Sequence, residues 1–155
     1  MKIIKSLVMF IAVVIVFLQY GCGKENNSSI VSDISTKYKN LNGVVDDAKV
    51  DLWDTYFLNH PEIGNIHNNH PKYGWETFHN AIIEDKKLPL SERIAAESSE
   101  IKVHLIDENT AWVEGKIKII YPNKKVSNNY FYDSLIKTKD GWRVFNSVVN
   151  TIPEE

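Results

Sequence analysis

Four histidines lie close together in the chain, three of them in the stretch His60-Pro-Glu-Ile-Gly-Asn-Ile-His67-Asn-Asn-His70 and the fourth at His79. The spacing of His67 and His70 suits a metal ion, and imidazole is a common ligand for zinc or copper. A protein metal site needs about three converging ligands. Here Glu62 is the only carboxylate between His60 and Glu76, and the stretch has no cysteine. The histidines therefore read as polar loop residues at a pocket rim, and neither a metal nor another cofactor is expected. Two carboxylates in the C-terminal half, Glu114 and Asp133, could accept a proton if they faced a cavity. Alternation sets both on the parity opposite the small and apolar residues, beside Lys116 and Lys137, so cross-strand charge pairing on an outer face is expected of them. Asp46-Asp47 reads as a solvated helix face. The residues left to build a site are aromatic and neutral: Trp53, Phe57, Trp75, Phe78, Tyr130, Tyr132, Ser134 and Asn146. They could hold an apolar body and orient one polar end, but Asn146 cannot exchange protons at useful rates near neutral pH.

The remaining reactive side chain is Cys22, the only cysteine of the 155 residues. No intramolecular disulfide is possible. Lys2 and Lys5 precede an unbroken apolar run from Leu7 to Leu18, which closes on Gly21-Cys22. That run is shorter than the roughly 20 residues needed to span a bilayer, but it has the length of an export signal with a small residue before the cut. The segment resembles the bacterial lipoprotein signal, with Gln19 where leucine is usual and Leu18 one place early. The resemblance implies a diacylglycerol thioether on Cys22 and a further acyl chain such as palmitate, more than the two signals that durable anchoring requires. Residues 1–21 are then the signal peptide and 22–29 the tether. The expected location is the cell envelope, anchored to a membrane, with Gly23 after the cysteine favouring the outer membrane, periplasmic or surface side.

Removing Lys2 and Lys5 from the 18 basic residues leaves 16 against 20 acidic ones. The mature chain is mildly acidic and carries no basic stripe, which excludes nucleic acid as a partner. About 134 residues remain, suited to one domain with one core.

The elements that position the candidate residues follow from periodicity. From Ile30 to Asn59 the apolar residues fall at helical spacings, with a break at Asn42-Gly43. A third helix is expected around Tyr73 to Ile83, where Trp75, Phe78 and Ile82 share a face behind Pro71. Past residue 95 the period becomes 2: Ile101, Val103 and Leu105, then Ala111, Val113, Gly115, Ile117 and Ile119, alternate with polar side chains. Strands around Tyr130 to Ile136 and Trp142 to Thr151 complete the pattern, with turns at 107–109, 121–125 and 139–141. The final segment, Trp142 to Thr151, carries apolar side chains on both faces in its first half, as in a strand covered on two sides. Helices followed by antiparallel strands make an α+β domain over residues 30–155.

Gly74-Trp-Glu-Thr-Phe78, Thr110-Ala-Trp-Val-Glu-Gly115 and Asp140-Gly-Trp-Arg-Val144, in this order on a helix-then-sheet pattern, resemble the SnoaL-like branch of the nuclear transport factor 2-like superfamily. The resemblance implies a cone-shaped, cystatin-like domain, a curved antiparallel sheet wrapped around N-terminal helices. It also implies an apolar pocket and a homodimer packed through the outer sheet face, for which Trp112, Phe131, Leu135 and Phe145 are the expected residues. Many relatives carry a His-x-His pair after the Trp-Arg dipeptide; Asn146-Ser-Val148 stands there. The expected function is a membrane-anchored domain that binds a small, mostly apolar molecule. The alternatives are a small-molecule isomerase, dehydratase or cyclase, and a protein-interaction module with a filled core. A buried proton-transfer pair separates enzyme from binder, and alternation offers none.

Overall fold

The computed structural model describes residues 27–153. The expected signal peptide, Cys22 and most of the tether lie outside the described residues. By contacts the chain divides into Met1–Asp33 and Ile34–Glu155; the described part of the first unit is helical, and all that follows concerns the second.

Helix α1 (27–40) begins inside the expected tether. In its second half Ile34 and Tyr38, one turn apart, are buried. The break at Asn42-Gly43 is real: Gly43 has φ +106°, and the Asn42 side chain pairs with the backbone of Ser98, accepting at 2.7 Å and donating at 3.4 Å. The chain then forms the short strand β1 (Gly43–Val44). Asp46 opens helix α2 (Asp47–Tyr56) as its N-cap, accepting from the Lys49 amide at 2.9 Å. Asp47 meets Arg93 at 2.6 Å. The acidic pair expected to be merely solvated thus starts a helix and pins its base. Arg93 also donates to the carbonyls of Lys86 and Leu88, both at 2.8 Å, and ties α2 to helix α3 (Trp75–Lys86).

Between these helices the histidine stretch is a β-hairpin, not a loop. Strands β2 (Gly64–His67) and β3 (His70–Tyr73) are joined by Asn68-Asn69, with φ of 49° and 65°. Two successive positive φ values define the type I′ turn that matches strand twist, and asparagine tolerates them. Pro71, expected to precede a helix, lies in β3, where an edge strand needs no amide donor.

The long strands are β4 (Ala95–Leu105), β5 (Thr110–Ile120), β6 (Val126–Thr138) and β7 (Gly141–Thr151). They make a curved, seven-stranded, unclosed sheet in the order β1-β4-β5-β6-β7-β2-β3, antiparallel except where β2 joins β7 in parallel. This is the expected α+β, cystatin-like class. Two irregularities shape it. In β4 the register shifts between Ser99 and Lys102, where Glu100 has φ +53°. Between β6 and β7, Ser134 pairs with Asn146 but Leu135 with Val144, so Phe145 is an extra residue. Trp142 and Val144 face inward before that bulge, and Ser147 and Val149 after it. The apolar side chains on both parities, Trp142 and Val144 against Phe145, therefore record a bulge, not a strand covered on two faces.

Gly115 lies opposite Phe131, whose ring stacks on Tyr38 at 5.3 Å between centroids. A Cβ at Gly115 would come within 2.7 Å of the Phe131 ring and 3.0 Å of the Ser99 carbonyl. Both neighbours are held, so Gly115→Ala is expected to destabilise the domain by about 1 to 3 kcal/mol, the usual cost of overpacking. Chemical denaturation read by far-ultraviolet circular dichroism checks it; an unchanged midpoint would show that Phe131 moves freely.

Candidate functional site

The inner wall of the cone is set by β6, and its parity is the reverse of the one expected. Asn129, Phe131, Asp133 and Leu135 are buried, while Tyr130 and Tyr132 are 42% and 44% exposed and Ser134 shares their side. Asn146 pairs with Ser134, and its amide lies over Gly64, where an added Cβ would collide with Oδ1. Tyr130, Tyr132, Ser134 and Asn146 are thus outside the concave surface. Asp133, expected outside, is inside. Glu114 alone of the two carboxylates faces out, within 3.4 Å of Lys102 and 3.5 Å of His104. Phe131 and Leu135 are core, so the expected outer apolar set reduces to Trp112, which stacks on His104 at 4.0 Å, and Phe145.

The concave face encloses a chamber of about 110 Å³. Trp53 and Phe57, stacked at 5.4 Å, line it together with Tyr38, Tyr56, Phe131, Trp142 and Val144. Trp75 is stacked on His79 at 5.0 Å and does not reach the chamber. Phe78 lies on α3, but its side chain is outside the described residues.

Within this apolar wall Asp133 Oδ2 accepts a hydrogen bond from the Tyr38 hydroxyl at 2.7 Å. Oδ1 is buried and accepts none of ordinary geometry. Burial pushes the carboxyl up to about 6, against the Ser147 and Tyr38 hydroxyls, which favour the anion. Burial, the adjacent Asp133 charge and the shared hydrogen bond in turn hold the Tyr38 phenol well above its ordinary range. A buried carboxyl poised near 6 in the chamber wall can take up or release a proton, whereas the Tyr38 phenol keeps its own and acts as the hydrogen-bond donor. Alternation along β6 misses this carboxyl because bulky side chains stand on both parities of the strand. One signal was available. The 121–125 turn pairs Ile120 with Val126, and continuing that ladder puts odd residues opposite odd ones, so an inward Val113 requires an inward Asp133.

The chamber shares Phe57, Asn65 and Val149 with a wider, open mouth of about 500 Å³, whose further lining includes Ile63, His67, His70, Lys72, Ile94 and Ile119. His67 and His70 are cross-strand partners at the hairpin tip. His60 accepts from the Glu62 amide at 3.2 Å, and His79 lies 3.3 Å from Asp54. Among the described residues no three histidine, cysteine, aspartate or glutamate side chains converge as a metal site.

No protein-family model matches the chain, and no curated protein matches it in sequence. Solved structures do match in fold. A nuclear transport factor 2-like protein of unknown function from Shewanella oneidensis has a TM-score of 0.66 at 15% identity, over 77% of this chain and 97% of its own. A cystatin-like fold protein from Burkholderia xenovorans has 0.61 at 14%, over 84% and 97%. A candidate scytalone dehydratase from Novosphingobium aromaticivorans has 0.60 at 12%, over 77% and 82%. The chain thus has the nuclear transport factor 2-like fold, one that hosts many unrelated functions.

The Asp133 carboxyl has an ordinary value of 3.8 and about 6 in the folded chain, so between these values the folded state binds the extra proton. Stability is therefore lost as pH rises through this window, by on the order of 3 kcal/mol. Asp133→Asn keeps an acceptor for Tyr38 and removes the charge. Its stability relative to the parent is expected to be greater at pH 7.5 than at pH 4, as read by denaturant midpoints. A difference that does not change with pH would show that Asp133 is solvated.

Proposed function

We propose that this chain is a lipid-anchored domain that binds a small, mostly apolar molecule inside the cone and accepts a hydrogen bond from it at Asp133. The observation that carries this reading is the buried Oδ1 of Asp133 in the wall of an apolar chamber, which accepts no hydrogen bond of ordinary geometry although the Ser147 hydroxyl also acts on the carboxyl. Such an atom costs stability unless something donates to it. At about 110 Å³ the chamber is smaller than the roughly 150 Å³ cavity that holds benzene, so it suits at most one ring or a short branched chain. The anchor rests on the lysine-flanked apolar run that ends at the sole cysteine. Cys22→Ser is expected to abolish incorporation of a radiolabelled fatty acid, and label retained on the serine variant would end the lipoprotein reading.

A second reading, a proton-transfer enzyme of the isomerase or dehydratase type, is favoured by the carboxyl near pH 6, because a general base works best with a pKa near its operating pH. Cyclohexanol and cyclohexanone, one ring each, separate the two. The alcohol has the O–H that Asp133 would accept, the ketone has α-protons that report base catalysis, and Trp53 lines the chamber as a fluorescent reporter of either. Saturable quenching with no enzyme-dependent deuterium uptake from heavy water is the outcome expected of a binder. Catalysed uptake that disappears in Asp133→Asn would establish the enzyme instead. Absence of both quenching and exchange would reject the chamber as a site for such molecules.

A further inference from the structure

The mouth of the cavity carries a charge pattern that the chamber does not. Along the parallel ladder Asn65 pairs with Ser147 and His67 with Val149, two inward positions of β7. Across the hairpin Lys72 stands opposite Asn65, and His70 opposite His67. Paired residues share a face of the sheet. Asn65, His67, His70 and Lys72 therefore stand together on the continuation of the concave surface, beside the apolar side chains of Ile63, Ile94, Ile119 and Val149.

No aspartate or glutamate lines this mouth. Lys72, His67 and His70 are exposed and form no ion pair among the described residues. The chain has more acids than bases, and Lys86, Arg93, Lys116 and Lys118 each meet a carboxylate. An uncompensated lysine with two imidazoles over an apolar surface calls for an anion joined to a hydrocarbon body. One lysine supplies one permanent charge, and the imidazoles add N–H donors, which suits a monoanion better than a doubly charged group. At the other end the Asp133 carboxylate repels a negative charge. The anionic end must then stay at the mouth while the apolar end enters the chamber.

We infer that the bound molecule is a mostly apolar monocarboxylic acid with one hydroxyl at its inner end, its carboxylate held at Lys72 between His67 and His70, its hydrocarbon body running inward past Val149 and Phe57, and its hydroxyl donating to Asp133. This rests on the reading that the cone binds a small apolar molecule.

Equilibrium dialysis of the full chain against 4-(4-hydroxyphenyl)butyrate and 4-(4-hydroxyphenyl)butan-1-ol tests it, because both probes carry the same chain and a ring hydroxyl for Asp133 and differ in the charged end. The acid is expected to bind about fivefold to tenfold more tightly, the scale of one partly desolvated charge-assisted contact. Lys72→Gln, at an exposed position, is expected to remove that preference and leave the alcohol unchanged, with an unaltered circular dichroism spectrum. Equal binding of acid and alcohol, or a Lys72→Gln variant that keeps the preference, overturns the assignment of the carboxylate but leaves the cavity reading standing. Binding of neither probe to the parent chain overturns both.

Discussion

The pairing of β5 with β6, unbroken from Thr110 to Ile120, decides what the inside of this protein is. Side chains alternate along a strand, so a register shifted by one residue would exchange the two faces of β6 completely. Phe131, Asp133 and Leu135 would face solvent, and Tyr130, Tyr132 and Ser134 would face the helices. Gly115 helps to hold the observed choice. It leaves room for the Phe131 ring, which then stacks against Tyr38 and brings the phenol onto Asp133. The chamber, its carboxylate and the docking of α1 thus follow from one hairpin register.

That register has an energetic consequence. A buried carboxylate with one partnered oxygen is poorer for stability than a hydrophobic residue of similar size, and the Tyr38 hydrogen bond offsets only part of the desolvation. Packing alone would favour leucine or asparagine at position 133. Its hydrogen-bonding neighbours are the Tyr38 and Ser147 hydroxyls, which offset the burial only in part, since the carboxyl still rises to about 6. A charge kept in such a place at the expense of stability points to ligand contact rather than to folding.

Much of the fold is legible in the sequence for a simple reason. Ile34 and Tyr38 on α1, or Ala111, Val113 and Gly115 on β5, repeat at periods that only one element satisfies. The elements that escape are those whose stability comes from elsewhere. Asn65, His67, His70 and Lys72 give the β2–β3 hairpin no apolar alternation; it exists because β2 adds to the edge of β7 and because Asn68 both forms the turn and exchanges hydrogen bonds with Thr151, at 2.9 and 2.8 Å. The site was half legible. Trp53 and Phe57 declare themselves by spacing, whereas β6 carries bulky side chains on both parities, and only its long-range pairing to Val113 and Gly115 resolves them.

The hairpin also explains how one fold can have both a closed core and an open cavity. A sheet ending at β7 would leave Ser147 and Val149 at its edge, and the concave surface would stop there. By adding in parallel, β2 extends the surface with side chains that need no burial, so the cavity opens through a polar border while the apolar lining continues beneath it. Parallel addition requires the chain to cross over between the partners, and here the crossover includes α3 and three long strands. The hairpin is held to β7 by four residue pairs and by the bonds of Asn68 to Thr151 and Val149, none of which involves β5 or β6. Entry of a molecule would then leave the β5–β6 ladder, and with it the position of Asp133, undisturbed.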